Sequence, residues 1–279
     1  MIVALLLAAV LSHPTTAANG VEAQRDAAAL LQHVVLPASA RRLAHAPGRA
    51  GGLLASAADG SASPVQTGRS RLYRVELSLD STIAFLKAHV PRGSRLTAQG
   101  WAGGPHTPRN EELTFSFPAV AGRLSLRDLV LTAVALPDGS TGIRVDSQIV
   151  WIVTRSPSEA VPAGVREIDV GSGAVLHRVR RPARVAKIVR WFDALPIVQP
   201  GAAFSCPMLV YGPVVTLDFR RGSGALDAQA RMPMRFHDGS LLSTPCTSIR
   251  FSVGGRKQTA LVGGRFFVRV ERLLGIRLR

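Results

Sequence analysis

Residues 128–153 read DLVLTAVALPDGSTGIRVDSQIVWIV, two apolar runs on either side of the turn sequence PDGS at residues 137–140. Tight turns favour Pro, Asp, Gly and Ser, so the segment predicts a β-hairpin with strands at residues 128–136 and 143–153. Apolar and polar side chains alternate along the second strand, which predicts a sheet with one buried face and one solvated face. The apolar set is Ile143, Val145, Ile149, Trp151 and Val153, and the polar set is Arg144, Asp146 and Gln148.

The chain before this hairpin predicts further helices and strands. Helical spacing of apolar side chains marks two helices, the second with an N-cap at Asp80 or Ser81, and alternation marks two strands. These helices are expected at residues 22–33 and 80–90, and the strands at residues 71–79 and 112–117. Residues 46–70 are rich in Gly, Ala and Ser without a sustained period, which predicts an exposed, mobile loop.

The chain after the hairpin repeats this plan beyond a Pro- and Ser-containing stretch. Residues 156–164 are interpreted as a linker between domains. The elements expected after it are strands near residues 165–170, 174–179, 214–219, 226–234, 249–253 and 258–262, and helices at residues 182–195 and 265–274. The expected fold is therefore α+β, with two antiparallel sheet-plus-helix domains at residues 19–155 and 165–279.

The first residues predict export. Residues 2–11 form an uninterrupted apolar run, followed by small and polar residues. The run has the length of a signal-peptide core and is too short to span a bilayer. A signal peptide at residues 1–18 is therefore expected, which leaves a soluble, secreted or extracytoplasmic protein. The alternative is a buried N-terminal strand or helix.

Charge is distributed unevenly along the chain. The protein has 34 Lys and Arg against 18 Asp and Glu, a net charge of +16. Residues 170–279 hold 18 of these cations and five acids, a net charge of +13, and the remaining residues carry +3. This asymmetry points to an anionic partner. For an exported chain, we expect that partner to be an anionic wall polymer or a membrane surface.

Two helices of the second half concentrate this charge on one side. In each, apolar residues form an inward stripe and Arg or Lys residues form an outward stripe. The predicted anion-binding residues are Arg180, Arg181, Arg184, Lys187, Arg190, Arg265, Arg269 and Arg272. The alternative is that both helices are ordinary amphipathic helices with solvated polar faces. Aromatic residues make up only 5% of the chain, which does not favour nucleic acid as the partner.

The sequence contains no recognised catalytic, cofactor-binding or metal-binding motif. The histidines lie on different predicted elements and lack metal-ligand spacing. The only compact catalytic candidate is His237, Asp238 and Ser240, whose composition is that of an exposed turn. We therefore expect a non-catalytic protein without a metal or cofactor.

The two cysteines, Cys206 and Cys246, have only each other as intramolecular partners, so an oxidising compartment predicts one disulfide. The alternative is two reduced, buried thiols.

The whole mature chain, and particularly residues 138–144, 148–151 and 270–275, resembles exported actinobacterial proteins of unknown function, which implies export.

Residues 206–216, CPMLVYGPVVT, resemble the reactive-site region of the Streptomyces subtilisin inhibitor family. The resemblance implies a serine protease inhibitor in which Met208 and Leu209 flank the scissile bond and the Cys206 to Cys246 disulfide keeps the loop rigid. A secreted protease would then be the partner. The alternative is an apolar lead into the strand near Val214.

Overall fold

A computed structural model describes residues 16–278, apart from residues 49–50, 56–62, 105–106, 202–203, 207–208, 223 and 237–240. Most of the predicted signal peptide lies outside the described residues, and its last three positions begin a helix. The chain divides between Val153 and Thr154 into two units, each with its own six-stranded antiparallel sheet. The predicted α+β class with two sheet-plus-helix domains is confirmed. No helix in the described ranges has the length and apolar character needed to cross a bilayer.

The first unit places its strands in the order β1-β2-β6-β5-β4-β3. Its elements are α1 (Thr16–Leu30), β1 (Arg41–Leu43), α2 (Gly51–Ala55), β2 (Gln66–Val75), α3 (Leu79–Ala88), β3 (Arg95–Gly104), β4 (Thr107–Ser116), β5 (Leu124–Ala135) and β6 (Thr141–Trp151). The hairpin of β5 and β6 forms the centre of the sheet, with Thr132 opposite Arg144. The predicted apolar face is buried under α1 and α3, where Ile143, Val145 and Ile149 join the main core.

The opposite face of β6 is not solvated as the alternation predicted. Arg144 is 9%, Asp146 4% and Gln148 9% exposed. Arg144 Nε donates to both Asp146 carboxylate oxygens at 2.9 and 2.8 Å, and its Nη1 donates to the Leu54 and Ala55 carbonyl oxygens of α2 at 2.9 and 2.7 Å. A buried charge needs such partners, because desolvation without them is costly. The prediction was wrong at Arg144 because α2 packs on this face of the sheet, and Asp146 is buried as the partner of Arg144.

Two segments that were expected to be irregular contain regular structure. The range 46–70, expected as a mobile loop, includes α2 and the first five residues of β2. Leu54 of α2 is fully buried against Val134 and Leu136, which holds the short helix on the sheet. The range 156–164, expected as a linker, contains a 3-10 turn at Pro157–Glu159 with Ser156 as its N-cap, and it belongs to the second unit.

The second unit has the strand order β12-β11-β10-β9-β7-β8. Its elements are β7 (Val165–Ser172), β8 (Val175–Val179), α4 (Pro182–Asp193), β9 (Leu209–Arg221), β10 (Leu226–Phe236), β11 (Arg250–Val253), β12 (Arg256–Lys257) and α5 (Phe266–Leu274). Both helices pack on the same face of the sheet. Their buried side chains include Val185, Ile188 and Phe192 from α4 and Phe266, Phe267 and Val270 from α5.

Phe192 is the central contact of this unit. Its ring centroid lies 5.2 Å from that of Phe219 in β9, 4.8 Å from Phe251 in β11 and 5.6 Å from Phe266 in α5. The Arg155 guanidinium carbon lies 5.2 Å from the Phe192 ring and 5.1 Å from the Phe251 ring. One aromatic side chain thus connects α4, α5 and two strands.

Arg155 attaches the start of the second unit to α4. Its Nη1 donates to the Phe192 carbonyl oxygen at 2.8 Å, and its Nη2 donates to the Glu159 carbonyl oxygen at 2.6 Å. Asp193 accepts a 2.9 Å hydrogen bond from the Val161 backbone N–H in the same region. These contacts explain why the predicted linker is folded.

The predicted disulfide between Cys206 and Cys246 is confirmed, with a Cα to Cα distance of 5.7 Å. The two cysteines are 40 residues apart. On the chain-entropy model, a crosslink that closes a loop of this size stabilises a protein by about 4 kcal/mol at most, because it restricts the unfolded chain.

We expect the double variant Cys206→Ser and Cys246→Ser to lose about 2 to 4 kcal/mol of unfolding free energy. Urea titration of the oxidised wild type and of the variant measures this difference. Wild-type protein treated with a thiol reductant is the matched control and should unfold at the same urea concentration as the variant. Equal midpoints for the oxidised wild type and the variant would contradict the expectation.

Replacing Arg155 with Ala removes two charge-assisted hydrogen bonds and the cation above two phenylalanine rings. We expect the variant to lose about 2 to 4 kcal/mol of unfolding free energy. Arg155→Lys keeps the charge but cannot form the same fork, so an intermediate loss is expected. A change of less than about 0.5 kcal/mol for Arg155→Ala, the range typical of surface sites, would show that Arg155 does not anchor this segment.

Candidate anion-binding surface

The two basic helices of the second unit meet at Trp191. Lys187 Nζ of α4 lies 5.1 Å from the centroid of the indole ring, and the guanidinium carbon of Arg269 in α5 lies 4.1 Å from it. At these distances the π-system of the ring attracts cations. The stripes predicted on α4 and α5 therefore adjoin, and we call their shared surface the Trp191 face. Its cations are Arg184, Lys187, Arg190, Arg265, Arg269 and Arg272.

The cations of the Trp191 face lack acidic partners. Arg184 is half-buried and the other five are exposed, and none of the six forms an ion pair within the described part of the chain. Some other arginines of the fold lie close to acids. For example, Arg123 Nη1 lies 2.8 Å from Glu22 Oε1, and Arg127 Nε lies 2.7 Å from Asp26 Oδ2. Both acids belong to α1. The positive charge of the Trp191 face is therefore available to an external anion.

Arg180 and Arg181, the other predicted anion-binding residues, differ from each other. Arg180 Nε donates to Glu167 at 2.5 Å, so its charge is partly neutralised, which the sequence did not indicate. The neighbouring Arg178 Nε lies 3.1 Å from Glu167 and 2.9 Å from Asp169. Arg181 is the exposed N-cap residue of α4 and forms no ion pair with any acid that the structure describes.

Some arginines of the second unit stabilise the fold by contacting acids. Asp169 of β7 lies directly opposite Asp218 of β9, an arrangement that would be destabilising by itself. Arg220 bridges the two carboxylates, with Nε 2.8 Å from Asp169 and Nη2 3.3 Å from Asp218. Gln229 donates a further 2.7 Å hydrogen bond to Asp218. The charges within this cluster therefore largely cancel.

The environment of Asp169 lowers its pKa. Burial opposes ionisation of this carboxyl group, but hydrogen bonds from Arg178 and Arg220 and the charges of both guanidinium groups outweigh it, so the pKa lies below the ordinary value. The folded state therefore stabilises the ionised carboxylate of Asp169 more than the unfolded state does.

Several residues that the sequence singled out fall elsewhere. Met208, His237, Asp238 and Ser240 lie outside the described residues. Leu209 is the first residue of β9 and pairs with Phe236 of β10, so the strand begins five residues before the predicted one. Among the residues whose positions are described, no group of His, Cys, Asp and Glu is arranged to hold a metal ion.

The position of Trp191, at the margin of the apolar stripe of α4, does not by itself reveal that the ring contacts cations from two helices. Trp191 follows Lys187 by four residues, which places both side chains on the same side of the helix. The sequence therefore allows the contact between Lys187 and Trp191 to be predicted. The contact with Arg269 required knowing how α5 packs against α4.

Acidification should test the Asp169 cluster. Because the folded-state pKa of Asp169 is lowered, its contribution to stability is fully present above the unfolded-state pKa of about 4 and is lost as the pH falls through the folded-state value. We expect Asp169→Asn to be less stable than wild type at neutral pH, and the difference to shrink below about pH 4. Urea titrations at a series of pH values measure this, and a difference that stays constant with pH would contradict the assignment.

Comparison with protein-family models, curated proteins and solved structures finds no match for this chain. The chemistry of the Trp191 face is therefore the basis for assigning a function.

Proposed function

We propose that this protein is exported and binds anionic cell-envelope material through the basic C-terminal unit. The observation that carries the proposal is the convergence of cations from α4 and α5 on the two sides of Trp191, without an acidic partner among the described residues. The disulfide is compatible with an extracytoplasmic location. The proposed role is adhesion and requires no catalytic group.

The charge pattern supports binding of a polyanion. Arg184 and Trp191 are seven residues apart on α4, so the cationic track along that helix is on the order of 10 Å long. Several like charges held close together attract counterions, and a polyanion gains affinity by releasing them. Such binding is strong at low ionic strength and weakens with added salt.

The same surface favours an anionic wall polymer over insertion into a membrane. Within α4 and α5, no large hydrophobic side chain is strongly exposed. Trp191, the aromatic residue of the face, is half-buried and already contacts two cations. Membrane-surface helices normally present an exposed apolar face for insertion, and this surface lacks one. We therefore propose a soluble, negatively charged wall polymer as the partner.

A charge-matched pair of variants tests the proposed function. Lys187→Gln with Arg269→Gln removes two cations from the Trp191 face. Arg231→Gln with Arg250→Gln removes two exposed cations that lie opposite each other on β10 and β11, on the other side of the sheet. Both variants have the same net charge, so a difference between them reports the location of the binding surface.

We expect the wild type to bind poly(glycerol phosphate) at low salt and to release it as salt is added. The Trp191-face variant should bind at least about tenfold more weakly than the control variant, since it loses two charge-assisted contacts. Titration calorimetry at several salt concentrations measures both effects. Equal affinities of the two variants, or binding that salt does not affect, would refute the proposed surface. Tighter binding to phosphatidylglycerol vesicles than to the polymer would instead identify a membrane as the partner.

A further inference from the structure

A pocket of about 360 Å³ lies at the end of the Trp191 face, where β8, the start of α4 and the end of α5 come together. Arg178, Arg180, Arg181 and Arg184 line it, together with His177. This volume is at the lower end of the range found for small-molecule sites. The pocket and the Trp191 face share Arg184, which lies one turn before Lys187 on α4. We call this site the arginine pocket.

Among the residues that the structure describes, no carboxylate lines the arginine pocket. Glu167 and Asp169, which contact Arg178 and Arg180, belong to an adjacent depression on the outer face of the sheet. The hydrogen bonds and ion pairs of Arg178 and Arg180 with these acids use the Nε atoms. The acids thus bind these two guanidinium groups through Nε, and no hydrogen bond from their Nη atoms is present within the described part of the chain.

The remaining two arginines contribute charge without internal compensation. Neither Arg181 nor Arg184 forms an ion pair in the part of the chain that the structure describes. Guanidinium groups bind phosphate oxygens through paired hydrogen bonds, and the two uncompensated charges of Arg181 and Arg184 match a group with two negative charges better than a carboxylate with one. A compact group with two negative charges fits this arrangement best.

One wall of the arginine pocket is apolar. Leu274 and Ile276, at the end of α5, and Val179 of β8 form it. A free phosphate ion would leave this wall in contact with water, whereas a phosphate ester would bury its carbon part against it. Removing apolar surface from water is favourable, so the ester should bind more tightly than the ion.

We propose that the arginine pocket binds the phosphate group of a small phosphate ester, with the carbon part of the ester against Leu274 and Ile276. This inference rests on the proposed binding of an anionic polymer, and it assigns a phosphate-bearing terminal unit to one end of that polymer's binding surface. The Trp191 face would hold the repeating charges, and the pocket would hold the end group.

Glycerol 3-phosphate and inorganic phosphate are the probes for this proposal, with glycerol as the uncharged control. In titration calorimetry on the full chain, we expect glycerol 3-phosphate to bind more tightly than inorganic phosphate and glycerol not to bind. Arg181→Gln should weaken both anions about tenfold or more, and Arg250→Gln, which removes an exposed cation of β11, should change neither. Leu274→Ala should lower the affinity for the ester and leave that for inorganic phosphate unchanged.

The outcomes separate the pocket from the proposed function. Loss of glycerol 3-phosphate binding in Arg181→Gln and its retention in the Lys187→Gln and Arg269→Gln variant would support the pocket. Absence of binding in the wild type, or equal binding in Arg181→Gln and Arg250→Gln, would overturn the pocket even if the polymer still binds. Binding of glycerol 3-phosphate by a wild type that does not bind the polymer would keep the pocket and refute only the polymer. Thermal unfolding of each variant confirms that it is folded.

Discussion

The packing of Phe192 against three other phenylalanine rings is the contact on which the second unit depends. Phe192 is fully buried and joins α4 to β9, β11 and α5, while its carbonyl oxygen accepts a hydrogen bond from Arg155. Aromatic pairs at these separations contribute beyond their buried area, and four elements share one ring here. This contact fixes how α4 lies against α5. The position of Trp191 between Lys187 and Arg269 follows from that placement, since neither helix by itself brings the two cations together.

Arginine serves two different purposes in this chain. Arg144, Arg127 and Arg220 lie against Asp146, Asp26 and the Asp169 and Asp218 pair, where they offset the cost of burying or apposing carboxylates. The arginines of the Trp191 face have no such acid among the described residues. The net charge of residues 170–279 alone does not separate these two groups. The structure shows that α4 and α5 hold unpaired cations on one shared surface, while the charges of Arg220, Asp169 and Asp218 on the outer face of the second sheet offset each other.

The sequence predicted the bounds of the helices of the second unit well, but it did not predict which elements pack against each other. It placed α4 and α5 to within two residues, because Pro182 marks the start of one, Gly275 follows the end of the other, and both have a strong helical period. It failed for β3, whose ten residues are all exposed and therefore show no alternation. It also placed Arg144 on a solvated face, because alternation distinguishes the two faces of a strand but does not reveal that α2 covers one of them. Contacts between distant segments, such as that between Arg269 and Trp191, have no local signal.

The cost of assembling the Trp191 face supports a binding role for it. Like charges on neighbouring helices repel each other, and the fold shows elsewhere that it can place acids beside such charges, as Glu22 and Asp26 do for the arginines of β5 and the preceding turn. On the Trp191 face, the indole ring attracts Lys187 and Arg269 without neutralising them. The ring thus keeps two cations close together with their full charge. An arrangement that retains charge at some expense of stability is expected where a partner supplies the missing negative charge, and it is not needed for a surface that only has to remain soluble.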